Sequence, residues 1–151
     1  MNALAMRRLL APADPAVMAS PSLLDAARGL TGASVMLSAV VHLDVWFGGF
    51  RSIATIGPLF LLQAISGLVL GLVVMTWRHW LTGVMAAGFG ASTLIGFYLA
   101  VELPNGLFGF KEGQPTSWSA VTSEVSEYAA IGLGVLIAGM LGSSKARGRR
   151  P

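Results

Sequence analysis

Four long apolar runs, parted by short polar breaks, make up most of this 151-residue chain. They cover about 23–47, 56–77, 80–103 and 118–141. At 1.5 Å of rise per residue each can cross the ~30 Å hydrocarbon core of a bilayer as one helix. Only 11% of the residues are charged and 54% are hydrophobic, against roughly 25% charged in a soluble domain. The mean hydropathy is +0.71. The expected fold is all-α, an antiparallel four-helix transmembrane bundle. It occupies 23–142, between a flexible cytoplasmic arm over 1–22 and a basic tail over 143–151.

The positions of the basic residues set the expected orientation. Arg7, Arg8, Arg28, Arg78, Lys145, Arg147, Arg149 and Arg150 fall on one side of the runs, and Arg51 and Lys111 on the other. The positive-inside bias then puts both termini and the Arg78 turn in the cytoplasm. Trp77, Arg78, His79 and Trp80 form the turn between the second and third runs. Trp46, Trp77, Arg78, Trp80 and Trp118 are the expected lipid-interface residues, since indoles gather at headgroup level. The net charge of +3 belongs to these flanks and to the tail, where it suits anionic lipid and not nucleic acid. The first residues do not read as a secretory signal, because Pro12, Asp14 and Pro15 interrupt the run after Arg7 and Arg8.

Cysteine is absent, which excludes disulfides, thiolate metal sites and thiol redox chemistry. No nucleophile elbow or phosphate loop occurs. Small residues recur at four-residue spacing: Gly67 with Gly71, Gly83 with Ala87, Ala86 with Gly90, Ser92 with Gly96, and Gly134 with Ala138. Such spacing lets helix backbones approach where lipid supplies no hydrophobic drive. Gly132 and Gly139 are further candidates on the last span.

The ionisable groups within the runs demand a reason, since a charge at mid-bilayer costs ~2.5–3.5 kcal/mol on insertion scales. They share a level at the expected outer side. His42, Asp44, Gln63, Glu102, Glu124 and Glu127 form the candidate polar cluster. His42 lies four residues from both Ser38 and Trp46, and Glu124 three from Glu127 and four from Tyr128, so each set shares a helix face. One reading leaves Asp44, Glu102 and Glu124 solvated or paired with Arg51 and Lys111. It leaves Glu127 hydrogen-bonded to Gln63, Ser92 or Tyr98. A second reading is a divalent metal site of His42, Glu102, Glu124 and Glu127, whose imidazole and carboxylate donors suit zinc, iron or manganese. Haem is less suited, because His79, the only other histidine, lies a whole membrane away from His42. A third is proton or cation passage, for which few polar groups continue below Gln63 and Glu127. The aromatic–glycine loops around Trp46–Phe50 and Gly106–Phe110 are expected to lie at the interface, with Phe108 and Phe110 at headgroup level, and to pack together as a lid over the cluster.

The stretches His42-Leu43-Asp44-Val45-Trp46, Ile56-Gly57-Pro58-Leu59-Phe60-Leu61-Leu62-Gln63 and Gly106-Leu107-Phe108-Gly109-Phe110-Lys111-Glu112 resemble segments of small, functionally uncharacterised four-helix membrane proteins of high-GC Gram-positive bacteria. The resemblance implies a four-helix fold in the bacterial plasma membrane and assigns no catalytic residue. The leading functional expectation is a non-enzymatic accessory or partner-binding subunit, with no cofactor, in a larger membrane complex or a homo-oligomer. The alternatives are a redox or metal-handling protein using the His/Glu cluster, and a small transporter or ion-conducting oligomer.

Overall fold

A computed structural model of the chain describes residues 21–147. It is all-helical: α1 (Pro21–Phe47), a single 3-10 turn (Phe50–Ser52), α2 (Ile56–Thr76), α3 (Trp80–Glu102) and α4 (Trp118–Arg147). Among the described residues no strand forms. The one β-type pairing is the bridge between Leu107 and Phe110. All four helices are long and apolar enough to cross a membrane, the shortest with 21 residues, or ~32 Å by helical rise. The expected spans and the observed helices agree within two residues, except that α4 continues to Arg147, past the expected stop at 141. Residues 1–20 of the arm and 148–151 of the tail lie outside the described residues.

Local chemistry sets the helix ends. Pro58 sits in the first turn of α2, where its missing N–H is not needed. Gly57 lies against the 3-10 turn, and a Cβ there would stand 2.8 Å from the carbonyl oxygens of both Phe50 and Arg51. His79 caps α3 by accepting from the Leu81 N–H at 3.2 Å. At the other end, Leu103 is extended before Pro104, as a residue preceding proline tends to be. Lys111 Nζ donates to the carbonyls of Val101 and Leu103, taking up acceptors that the last helical turn leaves free.

Three of the helix seams are tight: α1–α2, α3–α4 and α1–α4. Small residues make the first two so. Along α1–α2, Gly71 faces Gly32 and Met36, while Gly67 faces Ala39. Along α3–α4, Gly83 faces Gly134 and Ala138, Gly134 faces Ala87, and Gly90 faces the Glu127 backbone. Gly132 and Gly139 meet nothing within 4 Å, so these two do not serve the packing expected of them. The buried core includes Val35, Leu70, Val74, Ala86, Phe89, Ala130, Ile137 and Leu141.

The fourth seam is open. α2 and α3 share the shortest connection, yet touch far less than the other neighbours. Phe89 closes the middle of this seam, its ring against Gly67. Beyond Phe89, toward the end of the bundle that carries the 3-10 turn and the 103–117 loop, α2 and α3 diverge around a cavity.

A candidate ligand cavity at the splayed end of the bundle

The cavity between α2 and α3 measures about 320 Å³, which falls in the range of small-molecule pockets. Leu59, Phe60 and Leu62 of α2, and Gly96, Phe97 and Ala100 of α3, make its walls. Leu107 and Phe110 of the loop close it above, and His42, Ser123, Glu124 and Glu127 bring α1 and α4 to its back. A second, wider recess of about 610 Å³ adjoins it and is lined by Asp44, Phe47, Lys111 and Gln114. The two share His42, Phe60, Phe97, Phe110, Glu112 and Ser123.

Glu127 sits deepest, with 1% of its surface exposed. Its Oε1 accepts from Ser38 Oγ at 2.9 Å and from Ser123 Oγ at 2.6 Å. These are not the partners expected from the sequence. Gln63 donates instead to Thr93 Oγ1, whose own hydroxyl donates to the Phe89 carbonyl at 2.9 Å. Ser92 donates to the same carbonyl at 2.9 Å. Tyr98 donates to Glu124 Oε1 at 2.9 Å and lies 2.9 Å from the Tyr128 hydroxyl. Ser123 is absent from the candidates read in the sequence, although its place four residues before Glu127 puts both on one helix face.

His42 is buried, with 8% exposure, and packs against Phe60 at 4.9 Å between ring centroids. Its Nδ1 lies 2.9 Å from the Ser38 carbonyl. A carbonyl oxygen can only accept, so Nδ1 carries the proton, and when the ring is neutral Nε2 presents a lone pair. Ser38 thus ties the two groups together, donating through its side chain to Glu127 and accepting through its backbone from His42.

Two atoms of this set have no protein partner: the second oxygen of Glu127, Oε2, and His42 Nε2. Among the described residues the only side-chain polar atom that is both sealed and unpartnered is Arg28 Nε. Glu127 Oε2 and His42 Nε2 therefore keep some open space beside them; Glu127 lines the cavity, and His42 lines both the cavity and the wider recess. Buried polar groups are nearly always satisfied, so a pair left open beside an apolar recess marks a place where a ligand or water completes the bonding.

The remaining sequence candidates divide. Gln63, Glu124 and Glu127 join His42 around the cavity, and Asp44 lines the wider recess. Glu102 is exposed at the last turn of α3 and lines neither. It follows Ala100, which faces the cavity, by two residues, about 200° around the helix. Among the described residues no three His, Asp or Glu side chains stand close enough to hold one metal ion, so His42, Glu102, Glu124 and Glu127 are not assembled as a ligand set. Lys111 is committed to backbone carbonyls. The ion pairs among the described residues lie at the opposite end, where Asp25 meets Arg28 and Arg78.

The aromatic loops meet through Phe50 and Phe110. Phe110 packs inward on Phe50 at 5.2 Å, and Phe50 on Phe60 at 5.0 Å, which roofs the cavity. Phe108 projects, at 67% exposure, from a tight turn that Leu107 and Phe110 close with two backbone hydrogen bonds of 2.8 and 2.9 Å. At the Arg78 end, His79 is buried between Trp77 and Trp80, 4.9 and 5.6 Å away. Trp46 stands edge-on to Phe47 at 5.0 Å, and Trp118, 87% exposed, opens α4. No family model matches the chain, and no curated protein or solved structure is found to be similar to it.

Proposed function

We propose that this chain is a multi-pass protein of the bacterial plasma membrane whose role is binding: it takes a small amphipathic molecule into the cavity between α2 and α3, apolar body toward the helices' open seam and polar head on His42 and Glu127. The observation that carries this reading is a pair of almost fully buried polar side chains, each with one unpartnered atom, on a recess whose walls are largely apolar. Binding sites of this kind combine apolar walls with a few placed polar groups. Below Gln63 and Glu127 the core carries Phe89, Val35, Val74 and Ile137, and the buried hydroxyls there, Thr31 and Thr82, donate to the carbonyls of Ala27 and His79 in their own stretches, which favours a blind pocket over a conducting path.

The bundle is antiparallel with both termini cytoplasmic. Supporting this, Arg28 donates to the Met75 carbonyl at 2.8 Å while His42 packs on Phe60, so partner numbers fall on α2 as they rise on α1. The excess of basic residues at the Arg78 side favours that side as cytoplasmic.

Photolabelling tests the binding reading. A medium-chain alkanol carrying a diazirine is added to the protein in lipid nanodiscs, illuminated, and the labelled peptides are mapped. The expected result is label concentrated over 59–63 and 92–97 and displaced by unlabelled octanol. Uniform labelling of all lipid-facing helix surfaces, with no displacement, would overturn it.

A second reading, an accessory subunit docked on another helix, draws on one observation. Gly132 and Gly139, seven residues apart on α4, meet nothing within 4 Å and share a face open to a partner. Co-purification in mild detergent, lost on Gly132→Leu, tests it.

A further inference from the structure

The unclaimed atoms around the cavity are mostly acceptors. Glu127 Oε2 and His42 Nε2 lack partners, and Glu124 has only its Oε1 engaged, by Tyr98. The hydroxyls offer little in return: Ser123 donates to Glu127, and Ser92 and Thr93 donate to the Phe89 carbonyl. Each of these hydroxyl protons is spent, so the groups can only accept. Gln63 alone keeps a spare N–H beside its bond to Thr93.

Charge points the same way. Glu112, Glu124 and Glu127 line the cavity, and no Lys or Arg does among the described residues. Lys111 reaches only the neighbouring recess and is held by two carbonyls. Phe60, Phe97 and Phe110 add aromatic rings, whose faces attract cations.

We infer that the occupant of this cavity is an amphipathic amine, its ammonium N–H groups donating to Glu127 Oε2 and His42 Nε2 and its hydrocarbon lying between α2 and α3. The inference rests on the binding reading above. An ammonium supplies three donors and no acceptor, and a charge-assisted bond to a buried carboxylate is about twice as strong as a neutral one. A carboxylate or phosphate head would meet acceptors and negative charge with no cation to hold it. For the same reason the occupant is a free amine and not the ethanolamine head of a phospholipid, whose phosphate sits beside its ammonium.

The test uses the diazirine alkanol as reporter on the full chain in nanodiscs, with octylammonium, octanol and octanoate as competitors compared at equal bilayer-bound concentrations. Octylammonium is expected to displace label from 59–63 and 92–97 at a concentration at least ten-fold lower than octanol, and octanoate to be weakest. Glu127→Gln is expected to erase the amine's advantage and keep displacement by octanol, which also reports that the variant is folded. Equal potency of the three heads would overturn the amine assignment and leave the binding cavity standing. No displaceable label anywhere would remove the cavity reading beneath it. A full ten-fold advantage surviving in Glu127→Gln would overturn the role given to that carboxylate. If the variant also loses octanol displacement, the head-group series on the unaltered chain decides alone. Nanodiscs with and without phosphatidylethanolamine are expected to label equally, and loss of label only when it is present would make the lipid head the occupant instead.

Discussion

The α3–α4 seam and the α2–α3 seam share a helix and differ in almost everything else. Along the first, glycines of each helix lie against backbone of the other. A Cβ on Gly83 would collide with the Gly134 carbonyl oxygen and stand 2.7 Å from the Ala138 nitrogen, and one on Gly134 would stand 2.6 Å from the Gly83 carbonyl oxygen. Along the second, among the described residues, the close approach is the Phe89 side chain against Gly67, where a Cβ on the glycine would stand 2.7 Å from the ring, and beyond it the helices part around a cavity. The shorter connection belongs to the looser seam. A three-residue turn, Trp77–His79, joins α2 to α3, whereas fifteen residues, 103–117, separate α3 from α4. Connection length fixes which helices are neighbours at one end. Small residues aimed at each other fix how closely they run.

The strongest way to break this contrast is to swap bulk into each seam. Gly83→Leu should cost about 3 kcal/mol, at the upper end of overpacking penalties, because backbone and not a movable side chain stands in the way. Ser92→Leu, on the cavity side of the same helix, should leave stability within about 0.5 kcal/mol, since the added atoms enter open space. Unfolding of both variants in mixed micelles of rising sodium dodecyl sulfate measures the difference. Comparable losses would mean that the α2–α3 seam is closed in the bilayer.

A smaller effect is expected at the polar join between α1 and α4. Glu127→Ala leaves the hydroxyls of Ser38 and Ser123 without their acceptor, and a stranded buried polar group costs about 1–3 kcal/mol. The Ser38–Glu127 bond taken alone should be worth less, about 0.6 kcal/mol, the average for interhelical hydrogen bonds in membranes. A double-mutant cycle of Ser38→Ala and Glu127→Ala isolates it. A coupling energy of zero would show that the two side chains do not meet in the bilayer.

What is legible in the sequence follows from which variables an apolar run constrains. Span number and position depend on length and breaks, so Pro104, Gly48 and the Trp77–Trp80 turn are readable. The rotation of each helix about its axis depends on a polar–apolar contrast between faces, and helices that are apolar all round supply little. Glu102 therefore passes for a member of the cluster, though its face turns away from Ala100. Depth alone matches Glu127 to Gln63, Ser92 or Tyr98, across the wrong seam, since nothing in the run says that its face meets Ser38. Phe110 reads as a headgroup-level residue like Phe108, which it follows by two in a glycine-rich loop. The turn at Phe108 and Gly109, with φ of 52° and 81°, reverses the chain between them, as turns with two positive φ values do in hairpins. That sends Phe110 back onto Phe50.

The finest test of the two seams lies within α3 itself. Gly90 and Gly96 are six residues, ~9 Å of rise, apart. A Cβ on Gly90 would come within 2.6 Å of the Glu127 carbonyl oxygen, whereas one on Gly96 would meet only Leu107 Cδ2 at 3.8 Å, an ordinary contact. Alanine at a helical glycine also restricts the unfolded chain, which stabilises by about 0.4–1 kcal/mol where the site has room. Gly96→Ala should therefore raise stability by about 0.5 kcal/mol, and Gly90→Ala should lower it, because the clash with backbone exceeds that gain. The sign is the informative quantity. The same substitution on the same helix should help where α3 faces the cavity and harm where it lies against α4, and a loss at both positions would mean that α3 is gripped along its whole length.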